Sequence, residues 1–312
     1  MSITPGSENN NDILKFNAEL DQISSITDYS YSLNELVTID KSDMSLEEIR
    51  TLYFDKAKWF INRQIQLLPN NFRPLVFFRV RAGIKTTEDL TRIKTFSYPD
   101  PKYCTSNGRA NIKSQPVFYC SLDATTAVKE SRFNTGEDYY LGVWSIDFND
   151  VISCAPIIPF DLHENHPLKS LVIDENRVIH AFTKEGLNNG EKLELLYNIL
   201  SWQFISETDP YPLTSFLSDE ILFKQHIADC LYYPSYQFEQ KNVNFAFRPD
   251  FVDKYFRLNK VYKYQIESFD GVNIRCGVFA YGIVENDKII WNNINETEGK
   301  VFADFLKLKV DS

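Results

Sequence analysis

Glu130 ends a short run, Thr125-Thr126-Ala127-Val128-Lys129-Glu130, that closely follows an aromatic hydroxyl, Tyr119, in Pro116-Val117-Phe118-Tyr119-Cys120. Arginines come from two earlier pieces, Phe77-Phe78-Arg79-Val80-Arg81 and Gly108-Arg109-Ala110-Asn111. The planar fork of arginine pairs two phosphate oxygens at once. A tyrosine ring offers a flat face for stacking, and a carboxylate stabilises positive charge developing on a sugar. Together these side chains suit a ligand that carries phosphate and a ribose whose glycosidic bond is to be broken. The 312 residues include 11 glycines but neither GxGxxG nor GxxxxGKS/T, so side chains rather than a glycine loop must hold the phosphates.

One glutamate is enough for one such ligand. A glycosidase commonly needs two carboxyls because the departing oxygen must be protonated. In NAD⁺ the nicotinamide ring is already cationic and departs neutral, so a single carboxylate can bind the ribose hydroxyls and stabilise the forming cation. The competing reading of Glu130 is a solvated helix residue, and that of Arg79 and Arg81 is a solvated edge face.

The elements that must position these groups are legible in outline. Residues 1–70 read as a helical region: a loose helical pattern over 12–25, then a helix opening at Ser45 with Glu47 and Glu48 in its first turn. Its plain reading is packing support for the central stretch, and its sharper one a partner or dimer surface. Leu75 to Arg81 alternate as a strand, with Val76, Phe78 and Val80 on one face and Phe77, Arg79 and Arg81 on the other. Residues 84–107 read as a loop, since Pro99-Asp100-Pro101 excludes a regular helix. Gly108 to Asn111 form a turn and Pro116 to Cys120 a strand. Asp123 caps a helix that runs through Glu130.

A strand is expected over 141–148 and a buried helix over 191–204, striped by Leu193, Leu196, Tyr197, Leu200 and Phe204. Thr214 and Ser215 are expected to precede a helix over 217–228. Strands are expected at 231–236 and 242–247, and the tail over 261–291 reads as a hairpin with turns at Phe269-Asp270-Gly271 and Glu285-Asn286-Asp287. Residues 159–189 read as an insertion. It holds His163 and His166, but no further ligand joins them, and no metal site is expected.

The formal charge of −10 disfavours a nucleic-acid backbone as partner. Five dispersed cysteines, Cys104, Cys120, Cys154, Cys230 and Cys276, suit reduced thiols in a cytoplasm. No apolar stretch reaches the ~20 residues of a membrane span, and no leader pattern is present.

Five pieces in order, Phe-Phe-Arg79-Val-Arg81, Gly-Arg109-Ala-Asn111, Pro-Val-Phe-Tyr119, Thr-Ala-Val-Lys-Glu130 and Tyr-Pro-Ser235, resemble the RES-domain family over roughly Leu75 to Pro249. The resemblance implies an α+β fold like that of ADP-ribosyltransferases, with a split, mostly antiparallel sheet. It implies a catalytic domain over 71–255, carrying the insertion at 159–189, with a β-rich extension over 256–312.

The implied activity is NAD⁺ degradation by hydrolysis or phosphorolysis, with inorganic phosphate as co-substrate in the latter. Such enzymes are often the toxin of a toxin–antitoxin pair, so the implied partners are NAD⁺ and a protein inhibitor, with a homo-oligomer as a further expectation. Alternatives are transfer of ADP-ribose to a protein, or a module that binds nucleotide without turnover. The resemblance gives Glu130, Arg79 and Tyr119 catalytic roles, and Arg79, Arg81, Arg109, Asn111 and Tyr119 contacts to the dinucleotide. Either Thr214 or Ser235 stands for the family serine. The chain departs from the pattern at Val80, where some members carry Tyr.

Overall fold

The computed structural model describes residues 25–58, 60, 65–67, 75–146, 152–159, 189–235, 242–270 and 274–307. The helical pattern over 12–25, most of the 159–189 insertion and both of its histidines lie outside the described residues. Two compact units share the chain: Met1–Leu67, Pro101–Gln115 and Ile152–Tyr236 make the first, and Leu68–Asp100, Pro116–Val151 and Gln237–Ser312 the second. The elements define an α+β protein in which antiparallel strand pairing predominates.

The first unit is mainly helical. Ser45 and Glu48 form a reciprocal capping box ahead of the helix Leu46–Ala57, where the sequence places a start. An additional helix, Ile26–Thr38, precedes it. It was not legible because Asp28, Ser30 and Ser32 interrupt the pattern. It holds through buried Tyr29, Leu33 and Leu36, and through the Tyr29 hydroxyl, which donates to the Ala57 carbonyl at 2.6 Å. The helix Gly190–Ser206 buries Leu193, Leu196, Tyr197, Leu200 and Phe204, the expected stripe.

The helix sought over 217–228 begins at Pro212 and ends at Asp219, passing into a π-turn at Glu220–Lys224, so Thr214 and Ser215 lie within it. Proline suits a first helical position, where no N–H is needed. The next amides are satisfied from upstream of the helix: Glu207 accepts from the Leu213 N–H at 3.0 Å and from the Thr214 N–H at 2.8 Å. The cap is therefore the glutamate a few residues upstream, Glu207, rather than the adjoining Ser or Thr. Strands Ile65–Leu67, Ile152–Pro156 and Cys230–Pro234 complete the unit, the last two pairing parallel.

In the second unit the strands lie in the order Val243–Phe247, Phe118–Ser121, Leu75–Ala82, Asp138–Ile146, Phe256–Phe269, Ile274–Glu285 and Lys288–Asn293, with neighbours antiparallel. The last three form an antiparallel meander, where the sequence suggests a hairpin over 261–291. Its second turn is tight, with Asn286 and Asp287 both in the left-handed region (φ 49° and 60°), as a two-residue hairpin loop requires. One face of this sheet packs Val76, Phe78 and Val80 against Ala124, Ala127 and Val128 of the helix Ala124–Glu130 and against Phe302 of the helix Glu296–Phe305. On the other face Phe77 meets the rings of Phe245, Phe247 and Phe256 at centroid distances of 5.3–5.4 Å. The alternation read from the sequence is thus the alternation of the fold.

The sheet splits at one place. Leu75–Ala82 pairs with Asp138–Ile146 along its whole length, but with Phe118–Ser121 it shares the single pair Phe78↔Ser121. Beside that pair the Arg79 side chain spans the two strands.

Candidate functional site

Arg79 occupies the split. Only 8% exposed, it donates through Nη1 to the Tyr119 carbonyl at 2.8 Å and through Nε to the Ser97 carbonyl at 3.1 Å. Its guanidinium carbon lies 5.1 Å from the Phe118 ring centroid. Arg81, two residues on along the same face, donates from Nε to the Thr95 carbonyl and pairs with Glu88 at 3.2 Å. Two arginines at strand spacing therefore tie down the segment around the turn Ile93–Phe96. The solvated edge considered for them is not what the fold builds, since both guanidinium groups are engaged by protein oxygens.

Glu130 is on the opposite face, at the end of the helix Ala124–Glu130. Asp123 caps that helix as the sequence predicts, accepting from the Thr126 N–H at 2.8 Å. Burial alone would raise the Asp123 carboxyl, but the Lys307 ammonium at 2.6 Å and the N–H and hydroxyl of Thr126 outweigh it and hold the group below its ordinary value. The Glu130 carboxylate accepts from Asn244 Nδ2 at 3.0 Å, and Asn242 Nδ2 donates to the Thr126 hydroxyl at 2.6 Å. Neither asparagine was singled out from the sequence. For Asn244 the signal was present: a carboxamide inside an otherwise apolar strand, Val243–Phe247, demands a hydrogen-bond partner.

The remaining predicted residues belong to the first unit. Arg109 donates to the carbonyls of Phe204, Ile205 and Glu207, closing the C-terminal end of the helix Gly190–Ser206, and its guanidinium lies over Tyr211. Cationic side chains suit helix C-termini, where carbonyls lack intrahelical partners. Asn111 bridges back to Gly108 and donates from Nδ2 to the Ile112 carbonyl, fixing the expected turn. Thr214 and Ser235 are both fully buried. The Thr214 hydroxyl donates to Glu207 at 2.6 Å, so Arg109 and Thr214 converge on the backbone and side chain of Glu207, a residue the sequence reading passed over.

Among the described residues no group of three His, Cys, Asp or Glu side chains could hold a metal ion. No helix among them is long and apolar enough to cross a membrane. An α+β protein with a split antiparallel sheet, an arginine in the split and a clamped helical glutamate defines the class. The chain belongs to the RES-domain family, whose model matches residues 78–264, more than half its length. That match extends past Pro249 into the strand Phe256–Phe269, the central neighbour of Asp138–Ile146. Comparisons with curated proteins and with solved structures return no match.

Proposed function

We propose that this RES-family chain consumes NAD⁺, breaking the nicotinamide–ribose bond with water or inorganic phosphate as acceptor. The observation that carries this reading is Glu130, which lies within the family match and whose carboxylate is aligned by a buried asparagine. A carboxylate fixed beside the ribose stabilises the oxocarbenium-like state as nicotinamide leaves neutral. Tyr119 packs on the nicotinamide end. Arg79 and Arg81 lie on the face opposite Glu130 and are engaged by protein oxygens, so in this reading they support turnover through the strand they brace. The family resemblance gives Arg109, Asn111, Thr214 and Ser235 contacts as well; they lie in the first unit, and their part in binding is a separate proposal. Each assignment is tested by its own effect on KM.

In a cell, NAD⁺ loss of this kind arrests growth unless a protein inhibitor is present. The decisive experiment is chromatography of NAD⁺ incubated with purified protein, with and without inorganic phosphate. Nicotinamide with ADP-ribose in both tubes identifies hydrolysis. ADP-ribose-1″-phosphate formed only with phosphate identifies phosphorolysis. Intact NAD⁺ in both tubes, with a labelled protein once candidate targets are added, would replace this reading with ADP-ribosyl transfer.

A further inference from the structure

We propose that Asn244 is a positioning residue for the Glu130 carboxylate, held in register by a second asparagine rung from Asn242 to Thr126. The proposal rests on the NAD⁺-consuming reading for its catalytic consequence, and on geometry for its structural part.

The two rungs match in spacing. Asn244 lies in the strand Val243–Phe247, where a two-residue step rises about 6.7 Å, and Asn242 directly precedes that strand. Thr126 and Glu130 are four residues apart on a helix, a rise of about 6 Å. A strand and a helix laid side by side therefore present both pairs at nearly the same separation, and both bonds form, at 2.6 and 3.0 Å. Core packing of Ala124, Ala127 and Val128 already holds the helix against the sheet, and the two bonds, one turn apart, add a polar register to that packing.

Each rung is anchored at both ends. Asn244 is paired in the strand ladder opposite Ser121, whose hydroxyl donates to the Val243 carbonyl at 2.8 Å. Thr126 passes the hydrogen bond on to Asp123 at 2.9 Å, and Asp123 is paired with Lys307. Asn244 is 7% exposed, so its carboxamide is committed to this contact rather than to solvent. The choice of asparagine also matters. A neutral donor orients an ionised carboxylate, whereas an aspartate of the same shape sets a second negative charge against it. For a carboxylate whose task is to meet a forming cation, orientation is part of the rate, and a small misplacement costs up to about 100-fold.

The experiment compares Asn244→Ala, the isosteric Asn244→Asp and Asn242→Ala in the full chain. NAD⁺ turnover, thermal unfolding and the side-chain amide NMR signal of Asn244 are followed. Asn244→Ala is expected to lower kcat about 10- to 100-fold with KM within about twofold. Asn244→Asp is expected to lose more at neutral pH despite conserving volume, and Asn242→Ala to lose less of kcat than either. An Asn244 variant that folds and keeps wild-type kcat overturns the proposal, as does loss that merely tracks unfolding in all three variants. Should the wild type leave NAD⁺ intact, the reading of function fails but the clamp is still decided. The Asn244 amide signal must move on Glu130→Ala and stay in place on exchange of a distant exposed residue such as Glu296→Ala, and an unmoved signal refutes it.

Discussion

Nη1 of Arg79 donates to the Tyr119 carbonyl, 2.8 Å away, at the point where their two strands part. The guanidinium does there what a strand N–H would do in an unbroken ladder. It also reaches the Ser97 carbonyl, so one buried cation satisfies two backbone acceptors. A split in a sheet leaves main-chain groups without partners, and unsatisfied buried groups are costly. An arginine suited to phosphate is equally suited to holding such a split open.

The first prediction separates these roles. Arg79→Ala strips two carbonyls of their donor, at about 1–3 kcal/mol each when buried. Urea unfolding should show a loss on the order of 2–5 kcal/mol, together with reduced NAD⁺ turnover. Arg79→Lys should recover part of the stability, since one ammonium reaches fewer acceptors at that spacing. Native stability in Arg79→Ala would show that the guanidinium does not brace the split.

Glu130→Gln behaves differently. The glutamine carbonyl still accepts from Asn244, so the unfolding midpoint should stay close to that of the wild type. NAD⁺ turnover should fall about 100- to 1000-fold, the loss typical of removing one preorganised electrostatic stabiliser. Rapid chromatographic assay of both proteins at matched concentration checks this, and turnover retained in the variant contradicts the role given to Glu130.

The contrast between these residues shows what could be read without coordinates. Asp123 and the helix to Glu130 were legible because a cap acts within three residues and follows from residue type. The faces of Leu75–Ala82 were legible because strand alternation is strictly local. Asn244 opposite Ser121, and Glu207 capping a helix that starts at Pro212, were not. Both depend on partners brought close by folding, and nothing in their local sequence states the register. The split itself was expected only from family resemblance, since a missing ladder leaves no mark in the alternation of either strand.

Glu207 carries the third prediction. Its carboxylate takes two backbone N–H groups and the Thr214 hydroxyl, all at the opening of the helix Pro212–Asp219. Glu207→Ala should cost about 1–2 kcal/mol, the upper range for losing a helix cap. Thr214→Val removes only the side-chain bond and should cost about 1 kcal/mol. Denaturant titration of the two variants gives the ordering, and a reversed order would mean that the hydroxyl, not the cap, dominates the site.

Cys276 supplies the fourth. Burial, with Glu267 nearby, pushes its thiol up to about 12, so almost no thiolate exists at neutral pH. The thiolate is the reactive form. Alkylation of Cys276 by iodoacetamide at pH 8 should therefore run on the order of 1000-fold slower in the native protein than in urea. Peptide mass spectrometry at timed intervals measures both rates, and comparable rates would mean that the thiol is not held in its neutral form.

The last prediction concerns acid. Asp123 is held below its ordinary value, so its folded pKa lies beneath its unfolded one. Its contribution is thus complete above the unfolded value, about 4, and disappears as pH falls through the folded value. Asp123→Ala should lose about 1 kcal/mol at pH 7, mostly from the cap, because the Lys307 side chain is 73% exposed and its ion pair is screened by solvent. The difference between variant and wild type should shrink as pH drops below about 4. The same helix carries Glu130, and its rotation is fixed by Thr126, which the Asp123 side chain holds. Turnover at pH 7 should therefore fall in Asp123→Ala by more than its stability loss explains, while KM changes little. A pH-independent stability difference, or full turnover in a variant that has lost its cap, would break the link between the cap and the carboxylate it carries.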